Sequence, residues 1–207
     1  MGNDQAVTKT QSQFRYNMRG SKVWNLPNML TYGRIAAVPL VAGLLMWGGN
    51  AARWWALAIF ILAAISDFFD GYLARKWQLQ SSLGRMLDPI ADKVLVAVVL
   101  LVLCGDQILL GGHVWAAIII LAREVLVSGL REYLMELRVS VPVTQIAKWK
   151  TTVQLVAVGF LIAGPAGDAV VEGVTKVGIV GLWIAAGLTL YTGVDYFRAG
   201  IRHVVDE

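Results

Sequence analysis

The chain has 207 residues, 57% of them hydrophobic and only 15% charged, with a formal net charge of +4. Soluble domains carry about 25% charged residues, so this balance points to lipid and away from a nucleic-acid partner. Cys104 is the only cysteine and sits in an apolar run, which excludes a disulfide framework and a thiolate metal site.

Residues 1–22 are polar and lack the apolar core of a cleavable signal peptide. Residues 1–24 are expected to form a tail on the membrane surface, ahead of one membrane domain over residues 25–207. Hydrophobic patterning predicts six helices, near residues 28–48, 53–75, 86–104, 114–136, 147–164 and 177–198. Crossing a bilayer core takes about 20 residues. The first, third and sixth segments fit that length, whereas the apolar parts of the second and fourth are short. Residues 56–65 run straight into Asp67 and Asp70, and residues 114–122 run into Arg123 and Glu124 before the pattern resumes over 125–130. Charge at membrane depth is costly and marks a water-filled cavity. The expected fold is therefore all-α, an integral membrane bundle of six transmembrane helices with a cytoplasm-facing polar cavity.

Basic residues orient the bundle. Lys9, Arg15, Arg19 and Lys22 precede the first helix, and Arg75, Lys76 and Arg85 lie between the second and third. Arg131, Arg138, Lys148 and Lys150 flank the fourth and fifth, and Arg198 and Arg202 end the chain. The alternate loops carry only Arg53 and Lys176, beside Asp106, Asp168 and Glu172. Both termini and the acid-rich helix ends should face the cytoplasm of, by expectation, a bacterial inner membrane. Trp24, Trp77 and Trp149 then fall at the inner interface, and Trp47, Trp54, Trp55 and Trp115 at the outer.

Chemistry is concentrated in residues 67–92. Asp67, Asp70, Gly71 and Ala74 are spaced to share one helix face, and Gly84, Asp88 and Asp92 to share another. A short polar connection makes the two helices antiparallel neighbours, so both carboxylate pairs lie near one end. Gly71, Ala74 and Gly84 leave room for a ligand or for close helix approach. Four crowded carboxylates repel unless cations neutralise them, and oxygen-only ligands favour Mg²⁺ or Mn²⁺ over zinc. Two such ions can clamp a phosphoryl group during in-line displacement. Ion pairing of the acids with Arg75, Arg85 and Lys93 is the competing explanation.

The full pattern D-x2-D-G-x2-A-R-x8-G-x3-D-x3-D over Asp67 to Asp92 resembles the CDP-alcohol phosphotransferase family. That resemblance implies six spans, a cytoplasm-facing site, two divalent ions (Mg²⁺ or Mn²⁺) and CDP-diacylglycerol as donor. It implies that Asp67, Asp70 and Asp88 bind metal, while Asp92 serves as general base, metal ligand or both. Asn28, Thr31, Asp67, Gly71, Ala74, Arg75 and Gly84 would surround the CDP group.

Three other segments bear on the acceptor. Arg34 lies about two turns inside the first helix, either facing the cavity or snorkelling to headgroups. Arg123 and Arg131 share a face of the fourth helix, and Lys148 and Lys150 open the fifth. Together these five could bind a phosphorylated acceptor, against ordinary positive-inside decoration as the alternative. The wording of these segments resembles the branch of the family that uses glycerol 3-phosphate. Inositol phosphate, serine or phosphatidylglycerol are the other acceptors to weigh. A divalent-cation transporter should have polar residues in both halves of the bundle, yet the outer halves are almost purely apolar. Gly178, Gly181 and Gly187 suit helix packing, and a homodimer in membrane lipid is expected.

Overall fold

The structure, a computed structural model, describes residues 26–77, 82–137 and 145–205, so the polar tail lies outside the described residues. Among them run six α-helices and no strand: α1 Leu26–Trp47, α2 Asn50–Trp77, α3 Ser82–Gly105, α4 Val114–Glu136, α5 Gln145–Asp168 and α6 Val174–Val205. Each of the six expected segments is found, mostly with extra turns at its ends. The α1–α2 link is only Gly48 and Gly49, at φ 81° and 86°. That left-handed backbone is open to glycine at little cost, which permits so tight a reversal.

Among the described residues, four helical stretches are long and apolar enough to cross a membrane: Asn28–Trp47, Gly111–Met135, Trp149–Asp168 and Val174–Arg198. The fourth helix reaches that length because its hydrophobic pattern resumes beyond Glu124. Among the described residues, Asn50–Ser66 of α2 is a further, shorter apolar stretch.

α5 and α6 pack along their length, α1 lies on α2 and α3, α4 lies on α6, and α2 and α3 touch α5. Val41, Leu45, Phe60, Leu100, Leu103, Ile120, Leu161 and Leu182 fill the core between them. The outward faces are apolar too, with Leu62, Leu101, Val125 and Val180 more than half exposed. A helix apolar on all sides belongs in lipid. Trp47, Trp55 and Trp115 are exposed around the end opposite the aspartates, as an interfacial belt requires.

That far end is tied by a buried cation. Arg53, in the first turn of α2, pairs through Nη2 with Asp106 just beyond α3. Its Nη1 donates to the Ile162 carbonyl on α5 at 3.2 Å. α5 breaks two residues later, where Gly164 adopts φ 42°, ψ −125° ahead of Pro165. A proline has no N–H, and a broken helix leaves carbonyls without intrahelical partners. Arg53 supplies one such partner. Sequence patterning ends the fifth helix at the break and places Arg53 among the loop cations; the structure carries α5 on to Asp168 and buries Arg53 in an ion pair.

Gly178 and Gly181 are helix-packing residues. A Cβ on Gly178 would stand 2.9 Å from Leu161 Cδ2 and 3.1 Å from its backbone nitrogen, and one on Gly181 would stand 3.0 Å from Ala157 Cβ. Gly187 has nothing within 4 Å. Overpacking a tight contact costs about 1–3 kcal/mol, so Gly178→Ala should lower the Tm in detergent while Gly187→Ala leaves it unchanged or raised. Thermal unfolding of the two purified variants checks this.

Candidate active site

The backbone of α2 is helical through Asp67 and Asp70 to Trp77, and that of α3 from Ser82 through Asp88 and Asp92. Both aspartate pairs therefore sit within about three turns of neighbouring helix ends. The side chains at Asp67, Asp70, Gly71, Ala74, Arg75, Gly84 and Asp88 lie outside the described residues. Asp92 is described. Its side chain is 45% exposed and its Oδ1 accepts from Arg34 Nη1 at 2.6 Å.

α1 supplies Arg34 because its inner face changes character along its length. Asn28, Thr31 and Arg34, at steps of three, are each 1% exposed, and the same face continues apolar through Ala37, Val41 and Leu45. The polar half meets α3 through Arg34 and Asp92, and the apolar half joins the core. Arg34 does not snorkel. It turns inward to a carboxylate, which a guanidinium within a span requires. Asn28 and Thr31, expected beside the CDP group, share this buried face.

Three of the other expected acceptor cations gather elsewhere, where α4, α5 and α6 meet. Lys150 is 4% exposed and pairs with Glu124 on α4. Arg123 Nη1 lies 3.5 Å from the same Glu124 oxygen, and its Nη2 donates to Thr192 on α6 at 3.1 Å. Gly193 lets the arginine stem pass, since a Cβ there would stand 3.0 Å from Arg123 Cγ. Arg131 is exposed and its guanidinium carbon lies 5.7 Å from the Tyr196 ring centroid, within range of a cation–π contact. The Lys148 side chain lies outside the described residues. Thus Arg123, Arg131 and Lys150 form one group, while Arg34 joins the aspartates.

Sequence reading left four polar residues of this region without a role. Glu124 is the shared counter-ion. Thr192 holds Arg123, while Gln154 and Thr189 are buried with Oε1 and Oγ1 lacking a hydrogen-bond partner. The available signal was helical spacing: Gln154 lies one turn from Lys150, and Thr189 and Thr192 lie one turn apart.

Among the described residues, the metal-ligating side chains at the aspartate end are all oxygen donors. Cys104 closes α3 at the far end, and His113 sits before α4 at that end, where its Nδ1 accepts from Trp183 Nε1 at 3.2 Å. Carboxylates on neighbouring helices fit a hard divalent cation such as Mg²⁺ or Mn²⁺. Among the described residues no three His, Cys, Asp or Glu side chains converge, and the Asp67, Asp70 and Asp88 side chains are not among them.

Comparison with known proteins bears on the family of the chain. Residues 24–191 match the model of the CDP-alcohol phosphatidyltransferase family. A CDP-diacylglycerol–glycerol-3-phosphate 3-phosphatidyltransferase of Rickettsia bellii is 47% identical over 84% of this chain and 94% of its own length. One of Cereibacter sphaeroides is 39% identical over 89% of this chain and 99% of its own length. A cardiolipin synthase (CMP-forming) of Oryza sativa is 38% identical over 86% of this chain and 57% of its own length. With a match over most of its length, a complete aspartate motif and an all-helical membrane-spanning bundle, this multi-pass membrane chain belongs to the CDP-alcohol phosphatidyltransferase family.

Proposed function

We propose that this protein transfers the phosphatidyl group of CDP-diacylglycerol to glycerol 3-phosphate, giving phosphatidylglycerophosphate and CMP, at the cytoplasmic face of a bacterial inner membrane. The grouping of Arg123, Arg131 and Lys150 carries the choice of acceptor. A phosphate monoester matches such a set of donors, whereas serine or a neutral alcohol gives them nothing to neutralise. The names of the bacterial relatives support the same acceptor. Identity alone does not decide it, because a relative with a different name lies almost as near.

The acceptor hydroxyl attacks the phosphorus attached to diacylglycerol, the bond to the CMP oxygen breaks, and the hydroxyl proton passes to Asp92. Arg34 orients Asp92 for that role through its 2.6 Å contact. Asp67, Asp70 and Asp88, with Asp92, would hold two divalent ions. Bound there, the ions would screen the carboxylates and stabilise charge on the diphosphate and the departing CMP. Gly71, Ala74 and Gly84 leave space for the nucleotide, beside Asn28, Thr31 and Arg75. The donor's acyl chains have an apolar path. A groove of about 750 Å³, lined by Phe60, Ile65, Leu155 and Phe160 among others, runs along α2 and α5 from two residues short of Asp67. The concentration of basic residues at the aspartate end supports a cytoplasmic site, and a homodimer is the expected assembly.

An acceptor panel with CDP-diacylglycerol and Mg²⁺ or Mn²⁺ tests this reading, with CMP release and the lipid product followed together. Product should depend on glycerol 3-phosphate and vanish with EDTA; product formed only with serine, inositol phosphate or phosphatidylglycerol would overturn the acceptor. Asp92→Asn should lower kcat by at least about a hundredfold, as loss of a general base does. Most turnover surviving at saturating metal would remove the base role.

Arg34→Met separates activity from stability. Removing one partner of an ion pair is strongly destabilising where the remaining charge is buried, but Asp92, left without Arg34, is 45% exposed and can be solvated. The variant should therefore keep a Tm near that of the parent in detergent. Its turnover should fall at least about tenfold, because Asp92 loses the group that orients it. Equal loss of Tm and activity would reduce Arg34 to a structural role.

A further inference from the structure

Glu124 is not used by the reaction proposed above, yet it sits at the centre of the acceptor cations. One of its oxygens, Oε1, accepts from Lys150 Nζ and lies 3.5 Å from Arg123 Nη1. Arg131, on the same helix, is close enough for its charge to act on both. Among the described residues of α6, the Thr192 hydroxyl meets Arg123 and the Tyr196 ring lies under Arg131, while Asp195 and Arg198 are exposed. Lys150 is buried at 5% side-chain exposure, against 21% for Glu124. The cation is the buried partner, and the carboxylate is the more exposed one.

Two anions cannot occupy the same ammonium and guanidinium edge at full strength. A phosphate monoester carries about −1.5 to −2 charge at pH 7, against −1 for a carboxylate. In poorly screened surroundings the more highly charged group wins the exchange. The displaced carboxylate can turn toward water and so escapes the penalty of burial without a partner.

We propose that Glu124 is the resident counter-ion of the acceptor-phosphate site, holding Arg123 and Lys150 in place until the acceptor's phosphate displaces it. The exchange selects a dianion over weaker anions. This rests on the reading that these cations bind that phosphate. Glu124 touches no reacting atom and is a positioning and selectivity residue.

The test is inhibition by inorganic phosphate, competing with glycerol 3-phosphate in the full-length protein reconstituted in vesicles. Glu124→Gln keeps size and hydrogen bonding but removes the competing charge. Inorganic phosphate should then bind about fivefold more tightly, a difference of about 1 kcal/mol. The KM for glycerol 3-phosphate should fall in parallel, while that for CDP-diacylglycerol stays put. Glu124→Asp, with its carboxylate drawn back by one methylene, should shift the same way by less. It carries the test if Glu124→Gln does not accumulate. Unchanged or weaker phosphate inhibition in the variant measured would overturn the exchange and leave Glu124 as scaffolding. Lys150→Met separates the two levels. A raised acceptor KM in that variant keeps the phosphate site standing even if the exchange falls, whereas an unmoved KM removes the site and this inference together.

Discussion

An ionised side chain at the middle of a membrane span costs about 2.5–3.5 kcal/mol, and the architecture follows from how that cost is met. Among the described residues the fully buried ions are all cations: Arg34, Arg53 and Lys150. Each is paired with a carboxylate that is more exposed: Asp92 at 45%, Asp106 at 38% and Glu124 at 21%. The asymmetry is physical. A long basic side chain can bury its stem and deliver its charge to a partner several ångströms away, whereas an aspartate must be near its partner from the start. Helices are therefore joined by cations reaching inward to carboxylates that keep contact with water or polar surroundings.

The two ends of the bundle use this pairing differently. At the far end Arg53 is held on both sides, by Asp106 and by the Ile162 carbonyl, beside the break at Gly164. Every partner there belongs to the fold, so the contact joins α2, α3 and α5 and does nothing else. At the aspartate end, in the two contacts Arg34 with Asp92 and Lys150 with Glu124, the cation is buried and the carboxylate is the more exposed partner. In the function proposed above, such buried cations with more exposed counter-ions make a site that accepts phosphates.

Helix positions were legible in the sequence because lipid leaves few alternatives. Backbone groups must be satisfied within each segment, so apolar runs of the right length become helices, and all six are found. The break in α5 was legible as an end, since Gly164-Pro165 stops a regular helix, but not as a bend with a further turn beyond it. Long-range pairing was not legible. Arg53 and Asp106 are 53 residues apart, and nothing local to either announces the other. Arg34 was read with Arg123, Arg131 and Lys150 because a guanidinium suits a phosphate and a carboxylate equally well. Packing of α1 on α2 and α3 decided in favour of Asp92. Glu124 was visible only as the neighbour of Arg123, because its importance comes from Lys150 on another helix.

The separation of these two groups of charges has a consequence for how one bundle can serve several acceptors. In the proposed reading, the motif helices α2 and α3, with Arg34 from α1, would hold what any CDP-alcohol reaction needs, namely acidic groups for metal and an oriented carboxylate. Acceptor contacts would fall to α4, α5 and α6, whose helices pack mainly on one another through Arg123, Lys150, Thr192 and the close passages at Gly178, Gly181 and Gly193. Changing the acceptor then means altering a few polar residues on that second group without disturbing the first. An arginine placed against Thr192 and across a glycine is constrained by packing as well as by charge. Exchanging it for lysine would lose the fork geometry and the filled passage together. High overall identity can therefore coexist with different acceptors. The residues that separate them are the few that face each other across α4, α5 and α6.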